Sequence, residues 1–545
     1  MSAPARNGTR PPGHWQDAAA GLSIAGLLLP EAVAYSGIAN LPPQAGIIAL
    51  LAGLACYGLI GTSRFAIVAA TSSSAAVLGA ATAALGGTDL RLRLTLAAGL
   101  VLLAGAYFVL AALARLGSVT EFIAKPVLRG FTFGLGIVIV LKQAAVVVGV
   151  KPAGSAVYGI FFNLIRAFPV WNWSGVATGA AALAMLFLMA RVRYLPGGLV
   201  VIAAGIAASR WLGLPRHGVA VVGPIDLALA VPSLPALSRA EWLRLGELGL
   251  ALVLVLYSES YGSIRSFAIK HGDTVSANRD LLALGVANLV SGLFLGAPAG
   301  AGYSATSANE AAGAASRMAG AVALLVLLAM AVTVLPWIAL TPEPVLAAIV
   351  IHAISRSLQP AVFAPYFRWR RDRLVAVASV LAVLALGVLD GLLAAIAISL
   401  VMMLRRFSEA GVCELGRLGQ THDFVSILEH PGAKPVAGVL ILRPDEPLFF
   451  ANVERVLAQL RDRIGAAPGA AAVVVSLEDT FDLDGSSVEA LQIFFAWAAA
   501  DGRRLVLARL KDPVYALLVQ VSGAALLPVG LSVDDAVGIA LKGPA

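Results

Sequence analysis

The chain has 545 residues, of which 59% are hydrophobic and 13% are charged, and its mean hydropathy is +0.87. These values exclude a soluble globular protein of this size, in which about 25% of residues are charged. The net charge of +8 is divided unevenly, because residues 1–412 carry +13 whereas residues 413–545 carry −5. The basic excess therefore belongs to the apolar part, which argues against nucleic-acid binding and for a membrane protein.

The chain begins with a polar segment over residues 1–16 that contains Pro and Arg. It lacks the apolar core and the cleavage site of a secretory signal, so we predict that it stays in the cytoplasm. From Ala18 to Met403, about fourteen apolar runs come near the ~20 residues that span a bilayer. This pattern predicts a polytopic α-helical transmembrane domain over 17–407. Basic stretches such as "FRWRRDR" (367–373) are then expected on the cytoplasmic side.

The first apolar run, "GLLLPEAVAYSGIANLPPQAG", carries Pro30 and Glu31 at its middle. An ionisable side chain at membrane depth is costly and indicates a functional site. The other candidates are Lys142, Glu259 and His352. Glu259 lies in the eighth run, where the element of the first run would recur if the domain consisted of two similar halves of seven spans.

Two stretches are rich in Gly, Ala and small hydroxyl residues, namely "VAATSSSAAVLGA" (68–80) and "GAPAGAGYSATSANEAAGA" (296–314). Irregular backbone at membrane depth is tolerated where protein or a cavity covers it. We predict that each stretch is an extended segment that leads into a half-helix, whose free N–H groups favour an anion. The pattern leaves open which hydroxyls face the cavity among Thr71, Ser72, Ser73, Ser304, Thr306 and Ser307.

After residue 407 the long apolar runs end, and strand-like segments such as "GVLILRP" and "AAVVVSLE" alternate with amphipathic helices. This alternation predicts a small cytoplasmic α/β domain over 408–545. The two cysteines, Cys56 and Cys413, have no spacing typical of a disulfide or a metal site. No cofactor is expected.

Several motifs resemble those of the sulfate permease (SulP) family, bacterial relatives of animal anion exchangers. They are "LLLPEAVAYSGIANLPPQAG", "IAKPVLRGFTFGLGIVIVLKQ", "DTVSANRDLLALGVANLVSGLF" and "AGYSATSANEAAGA", while "ILRPDEPLFFANVE" and "DTFDLDGSSVEALQIF" resemble a STAS domain. The resemblance implies a fourteen-span 7+7 inverted repeat with core and gate domains, a homodimer in the bacterial inner membrane, and both termini in the cytoplasm. It also implies anion transport by an elevator-like movement of the core.

The resemblance implies a substrate site between the first, third and tenth spans. Two positions depart from the family: Glu31 stands where many members have Gln, and Ala305 stands where many have Arg. Both changes make the pocket more negative. The substrate-binding residues implied are Glu31, Tyr35, Thr71, Ser72, Ser73, Gln143, Ser304, Ala305 and Thr306.

An anion carrier with such a pocket needs positive charge from another source. A proton on Glu259 or Glu31, the ammonium of Lys142, or a sodium ion held by Glu259, Ser263 and Thr306 could each supply it. We therefore predict cation-coupled uptake, with H⁺ and Na⁺ both open. Glu259 is the preferred coupling residue, because it aligns with a family carboxylate. Structural alternatives are an ion pair between Glu259 and Lys142 and a packing role for His352.

Three other functions are weighed against an anion carrier. An enzyme is disfavoured, because the sequence has no HExxH, GxSxG or P-loop lysine motif. A proton-coupled symporter of a neutral solute such as a nucleobase fits the missing Arg at position 305. A sensor or scaffold fits the STAS-like domain, where Gly485 follows Asp484 in place of a phosphorylatable Ser. Bicarbonate, sulfate, chloride and dicarboxylates all remain candidate substrates, and membrane lipid is the expected surrounding.

Overall fold

The computed structural model describes residues 14–86, 89–117, 125–150, 157–191, 197–225, 232, 234–333, 335–355, 358–369, 372–409, 411–522 and 528–542. Most of the predicted N-terminal segment, residues 1–13, lies outside the described residues, as do residues 370–371 of the basic stretch 367–373.

The chain divides into two compact units, Met1–Ser399 and Leu400–Ala545, called here the membrane unit and the carboxy-terminal unit. Each unit has its own hydrophobic core. The boundary predicted at residues 407/408 falls within a helix, Val388–Ser408, which crosses from one unit into the other. The predicted domain limits therefore stay predictions.

Helices form most of the membrane unit, and two very short strands, β1 (Val68–Ala70) and β2 (Ala299–Ala301), interrupt them. The helices are α1 (His14–Ile38), α2 (Pro43–Ile60), α3 (Ser72–Gly86), α4 (Leu90–Leu113), α5 (Lys125–Val147), α6 (Val157–Arg166), α7 (Trp173–Met189), α8 (Gly197–Trp211), α9 (Arg239–His271), α10 (Ala277–Leu293), α11 (Tyr303–Ala311), α12 (Met318–Thr333), α13 (Leu335–Ile338), α14 (Glu343–Ser355), α15 (Ala364–Trp369), α16 (Arg373–Leu386) and α17 (Val388–Ser408). Short 3₁₀ turns lie at Phe168–Val170, Leu214–His217 and Pro360–Phe363.

Five stretches in the described residues are long and apolar enough, by length and composition, to cross a membrane. Four of them are Trp15–Ile38, Pro43–Ile60, Arg91–Leu113 and Lys125–Val147, and the fifth begins at Glu343. The remaining spans of the predicted fourteen must come from shorter or more polar helices. The half-helices α3 and α11 are among these, and a short strand precedes each of them.

The helix contacts of the membrane unit are mirrored between its two halves. Helix α1 packs on α12 as α9 packs on α4, and α3 contacts α9 as α11 contacts α1. Likewise, α5 packs on α16 as α14 packs on α7. Such mirrored contacts are expected if α1–α5, α7 and α8 form one repeat and α9–α12, α14, α16 and α17 form the other.

Strand β1 belongs to the first half and β2 to the second, and the two strands pair with each other. They run antiparallel, with Ala69 opposite Gly300 at the centre of the pair. All six strand residues are buried. The prediction of an extended segment before each half-helix is confirmed, and the pairing satisfies backbone groups that would otherwise be unpaired at membrane depth.

The carboxy-terminal unit contains a sheet of seven strands, whose order is β4-β3-β6-β7-β8-β9 with β5 beside β3. The pairs from β6 to β9 are parallel. The strands are β3 (Val412–Leu418), β4 (Phe424–Ser426), β5 (Ala433–Lys434), β6 (Val439–Pro444), β7 (Ala472–Ser476), β8 (Arg504–Ala508) and β9 (Val529–Gly530), and the helices are α18 (Val453–Gly465), α19 (Gly485–Ala500), α20 (Asp512–Ser522) and α21 (Val533–Leu541).

The parallel strands of this unit are buried on both faces, as continuous apolar runs such as "AVVVS" predict. Leu442, Val475 and Leu507 belong to the core that includes residues of α18, α19 and α20. Ile441 and Val474, which point to the opposite face, pack with residues of α21. The predicted α/β architecture of residues 408–545 is therefore present.

Candidate substrate and coupling site

Two polar residues of α1, Glu31 and Tyr35, are buried within the membrane unit. Glu31 and Tyr35 are each 7% exposed. Pro30 lies within α1 without ending it, and it has no N–H group to donate to the preceding turn. The side chains of Glu31 and Tyr35 lie about one helical turn apart, so they share a face of α1.

The start of α3 is organised around Thr71. The Oγ1 atom of Thr71 lies 3.0 Å from Oγ of Ser74, and the backbone N–H of Ser74 donates to Oγ1 of Thr71 at 3.2 Å. In return, the backbone N–H of Thr71 donates to Oγ of Ser74 at 3.3 Å. This exchange satisfies two donors at the helix start and fixes the direction of the Thr71 hydroxyl.

The Thr71 hydroxyl also donates to Oε2 of Glu259 on α9, at 3.0 Å. The hydroxyl of Ser73 lies near the same carboxylate. The phenol of Tyr35 lies within electrostatic range of both Glu31 and Glu259. Residues from α1, α3 and α9 therefore converge at one place beside the N-terminus of α3.

The second half-helix, α11, starts at Tyr303 after Gly302 and is tied to the segment before β1. Thr306 is fully buried, and its Oγ1 atom accepts a hydrogen bond from the N–H of Ile67 at 3.4 Å. Asn309 donates from Nδ2 to the carbonyl of Phe65 at 2.9 Å. Ala305 is buried, whereas Ser304 is exposed. In the first turn of α11 the Ser304 side chain is therefore exposed, whereas the Thr306 hydroxyl is occupied by the backbone N–H of Ile67.

Two polar residues that the sequence analysis missed hold strand β2. Asn288 on α10 donates from Nδ2 to the carbonyl of Ala299 at 2.8 Å and accepts from the N–H of Ala299 at 3.0 Å. Ser260 on α9 accepts from the N–H of Ala301 at 2.9 Å. Asn288 interrupts the apolar run "LLALGVANLV", and a polar side chain at that depth was the available signal.

Four other predicted residues are not brought to this cluster by any hydrogen bond or ion pair within the described part of the chain. Gln143 lines a cavity beside the carboxyl half of α1. The ammonium of Lys142 lies within electrostatic range of Arg93 on α4, a second cation that repels it. Ser263 is 2% exposed, and its hydroxyl has no hydrogen-bond partner among the described residues. The ring of His352 packs edge-on against Phe187, with centroids 4.8 Å apart.

The cluster therefore offers carboxylate and hydroxyl oxygens together with a helix N-terminus. Among the described ion pairs, none involves Glu259. No group of three or more His, Cys, Asp or Glu side chains suited to a metal ion occurs in the same described residues. Oxygen ligands of this kind suit a proton or a hard monovalent cation at Glu259, and the α3 N-terminus suits an anion.

Comparison with known proteins identifies the family. Residues 15–378 match the sulfate permease family, and residues 430–536 match the STAS domain. The chain belongs to the sulfate permease family. It is 30% identical over 499 residues to a probable sulfate transporter of Mycobacterium tuberculosis, which covers 91% of this chain and 89% of that protein. As a member of this family, the chain is an anion transporter. Because its relatives are transporters, the comparison points away from an enzyme.

Solved structures confirm the predicted fold class. The structure of the murine solute carrier 26 family member A9, an anion transporter in the inward-facing state, matches with a TM-score of 0.87 and 21% identity, over 97% of this chain and 91% of that one. The transmembrane domain of a cyanobacterial bicarbonate transporter matches with a TM-score of 0.62 and 22% identity, over 70% of this chain and 97% of that one.

Proposed function

We propose that this sulfate permease family member is a secondary active transporter that couples uptake of a small anion to a cation by an elevator-type mechanism. The substrate would be bicarbonate, sulfate or a dicarboxylate. The observation that carries the proposal is the hydrogen bond between Thr71, at the start of α3, and Glu259 on α9. This hydrogen bond connects the N-terminus of α3, where an anion would bind, with the carboxylate of Glu259, which would bind the cation.

The charges of the cluster explain why a cation is needed. The N-terminus of α3 favours an anion, but Glu31 and Glu259 lie close to the same phenol, that of Tyr35. Two unit charges 4 Å apart interact by about 4 kcal/mol at an effective dielectric constant of ~20. An ionised Glu259 would therefore repel an arriving anion, and a bound cation removes this repulsion.

The coupling cation is proposed to be H⁺ or Na⁺, held at Glu259. Protonation needs only the carboxylate. Sodium needs several oxygen ligands. The hydroxyl of Ser263, one turn after Glu259, is buried and has no hydrogen-bond partner in the described part of the chain, so it is available as one ligand. The hydroxyl oxygen of Thr306, the third predicted sodium ligand, accepts a hydrogen bond from the N–H of Ile67. A sodium ion at this site would use the second lone pair of that oxygen.

Uptake into proteoliposomes tests the proposal. Labelled bicarbonate, sulfate and fumarate are offered in turn with an inward sodium gradient, an inward proton gradient, or neither. We expect one gradient to drive uptake of at least one anion in the wild type. Glu259→Gln should abolish the gradient-driven component, because the amide neither binds a proton nor carries a charge.

The matched control is Glu247→Gln, which changes an exposed carboxylate on the same helix and should leave uptake intact. Gradient-driven uptake in Glu259→Gln equal to that of the wild type would refute the coupling role. No uptake of any anion by folded protein would favour the neutral-solute symporter or the scaffold.

Further parts of the proposal concern the surroundings of the chain. We place it in the bacterial inner membrane as a homodimer contacted by lipid, with both termini in the cytoplasm. In the carboxy-terminal unit, Asp484 accepts the N–H of Ser487 at 2.8 Å as an N-cap, Ser487 is buried and Ser486 is exposed. Because Gly485 occupies the position after Asp484, a scaffold or dimer-tuning role is proposed. Cysteine accessibility from each side of the membrane tests the topology.

A further inference from the structure

A cavity of about 250 Å³ lies between α1, α5 and α14, apart from the cluster at Thr71 and Glu259. One wall is the carboxyl half of α1, from Val33 to Gly37. The opposite wall comes from the end of α5 and the beginning of α14. The cavity is slightly smaller than the roughly 300–1,000 Å³ of pockets for drug-sized ligands, so it suits a smaller molecule.

The walls combine an apolar surface with one charge. Val33, Val146, Leu346 and Val350 supply apolar side chains, and Glu343 is the ionisable residue of the lining. The backbone N–H of Glu343 donates to the carbonyl of Ala220 at 2.8 Å. In the described part of the chain its carboxylate has no ion pair or side-chain hydrogen bond, and the residue is exposed at the cavity.

Other polar groups in the cavity do not offset this charge. Ser36 uses its hydroxyl to donate to the carbonyl of Val33 at 2.6 Å. Gln143, which is 9% exposed, lines the cavity with an uncharged amide. An anion of matching size would meet a carboxylate of the same sign, whereas a cation would pair with it.

We propose that this cavity is a binding site for a small amphiphilic organic cation. Its ammonium group pairs with Glu343, and its apolar body packs against Val33, Leu346 and Val350. Carboxylate and ammonium form a charge-assisted hydrogen bond, while the apolar body gains from leaving water. The ligand class is therefore opposite in charge to the transported anion.

Binding at this place would also act on transport, a consequence that rests on the proposed function. Helix α1 packs with β1 and α3, which carry or adjoin residues of the candidate substrate site, whereas α14 packs with α5 and α7. A ligand wedged between α1 and α14 contacts both groups of helices. If the groups move relative to one another during transport, the ligand inhibits uptake without occupying the substrate site.

Binding is tested with three probes of similar size and different charge, namely phenethylammonium, neutral 2-phenylethanol and anionic phenylacetate. Each is titrated into purified full-length protein in detergent, and heat of binding and thermal stability are recorded. We expect saturable binding of phenethylammonium at least tenfold tighter than that of 2-phenylethanol, and no binding of phenylacetate. Equal binding of all three, or preference for phenylacetate, would overturn the proposal.

Variants locate the binding. Glu343→Gln should weaken phenethylammonium binding at least tenfold, and Glu247→Gln, an exposed carboxylate on α9, should not change it. Gly37→Leu should abolish binding of both phenethylammonium and 2-phenylethanol, because a Cβ atom at Gly37 meets no atom within 4 Å and the new side chain can enter the cavity. Wild-type binding in both Glu343→Gln and Gly37→Leu would place the ligand elsewhere and overturn the assignment.

The uptake assay separates this inference from the proposed function. Phenethylammonium should inhibit anion uptake by the wild type and inhibit Glu343→Gln at least tenfold less potently. Saturable, Glu343-dependent binding to a protein that shows no uptake would support the site and refute only the transport proposal. Normal uptake together with no saturable binding would refute the site alone.

Discussion

Oγ1 of Thr71 donates a hydrogen bond to Oε2 of Glu259 at 3.0 Å, although 188 residues separate them in the chain. Thr71 belongs to the first half of the membrane unit and Glu259 to the second. The same hydroxyl accepts the N–H of Ser74 at the start of α3. A proton or cation bound to Glu259 therefore alters the hydrogen bond of Thr71, whose hydroxyl also caps the start of α3.

Replacing the Thr71 hydroxyl tests this connection. Thr71→Val keeps the shape of the side chain but removes both the donor to Glu259 and the acceptor for Ser74. We expect gradient-driven uptake to fall by about tenfold or more, since a hydrogen bond to a charged group contributes roughly 1.5–3 kcal/mol. Thr71→Ser keeps the hydroxyl and should retain most of the uptake. Equal uptake by the two variants would mean that the hydrogen bond has no part in coupling.

Asp280 on α10 stabilises the segment between α2 and β1. It is fully buried, accepts from the hydroxyl of Tyr57 at 2.9 Å, and accepts from the N–H and the hydroxyl of Thr62 at 2.8 and 2.7 Å. Asp280→Asn would place an amide donor among these donors. We expect a loss of about 3 kcal/mol in stability, measured as a lower midpoint of thermal unfolding of the purified protein.

Asp273→Asn is the control for this measurement. Asp273 pairs with Arg64 at 2.7 Å, but 30% and 37% of the two side chains are exposed. Such ion pairs contribute about 0–1 kcal/mol, so the midpoint should change little. A comparable decrease in both variants would show that burial of Asp280 does not determine its contribution.

The sequence predicted the elements of the candidate site better than the direction of its side chains. The small-residue stretches indicated the strands and half-helices around Thr71 and Thr306, because they contain few large side chains that could pack against lipid. It left open which hydroxyls face the cluster. In the structure Thr71 faces Glu259, whereas Thr306 faces the N–H of Ile67. Successive side chains of a helix point about 100° apart around its axis. Which of them faces the site therefore depends on how distant segments pack around the helix.

Gln143 and Lys142 show the same limit on α5. The resemblance implied Gln143 as a substrate-binding residue and Lys142 as a source of positive charge; in the structure Gln143 lines the cavity at α14, and Lys142 lies within electrostatic range of a second cation, Arg93. Their surroundings depend on α4 and α14, which are distant in sequence. Asn288, by contrast, could have been found from its apolar run, because a buried amide needs hydrogen-bond partners.

Asp534 gives the carboxy-terminal unit a pH-dependent contribution to stability. Its carboxylate lies 2.5 Å from Nδ1 of His422 and 2.6 Å from a guanidinium nitrogen of Arg417. The hydrogen bond from His422, followed by that from Arg417, lowers the pKa of Asp534 below its ordinary value. A carboxyl group with a lowered folded-state pKa stabilises above its unfolded pKa of about 3.9, and the contribution disappears as the pH falls through the folded-state pKa.

We therefore expect Asp534→Asn to destabilise α21 at pH 7 and the difference from wild type to shrink below about pH 4. Hydrogen exchange of the α21 amides in the full-length protein measures both effects. Asp462→Asn changes an exposed carboxylate on α18 and should leave α21 unchanged. A difference that is the same at pH 7 and pH 3 would mean that the ionised carboxylate is not the stabilising species.

Two glycines of α2 test whether backbone packing positions strand β1. A Cβ atom at Gly53 would lie 2.3 Å from the carbonyl oxygen of Val68, the first residue of β1, whereas a Cβ atom at Gly58 would meet no atom within 4 Å. Gly53→Ala therefore forces α2 and β1 apart and displaces Thr71, three residues along the chain.

We expect Gly53→Ala to lower both the thermal unfolding midpoint and gradient-driven uptake, because the displaced Thr71 loses its hydrogen bond to Glu259. Gly58→Ala should keep uptake and stabilise the helix by up to about 1 kcal/mol, the difference in helix propensity between Gly and Ala. Both variants are assayed in the same proteoliposomes and in detergent. Full uptake and an unchanged midpoint in Gly53→Ala would show that β1 tolerates a larger separation from α2, so that close packing on α2 does not position Thr71.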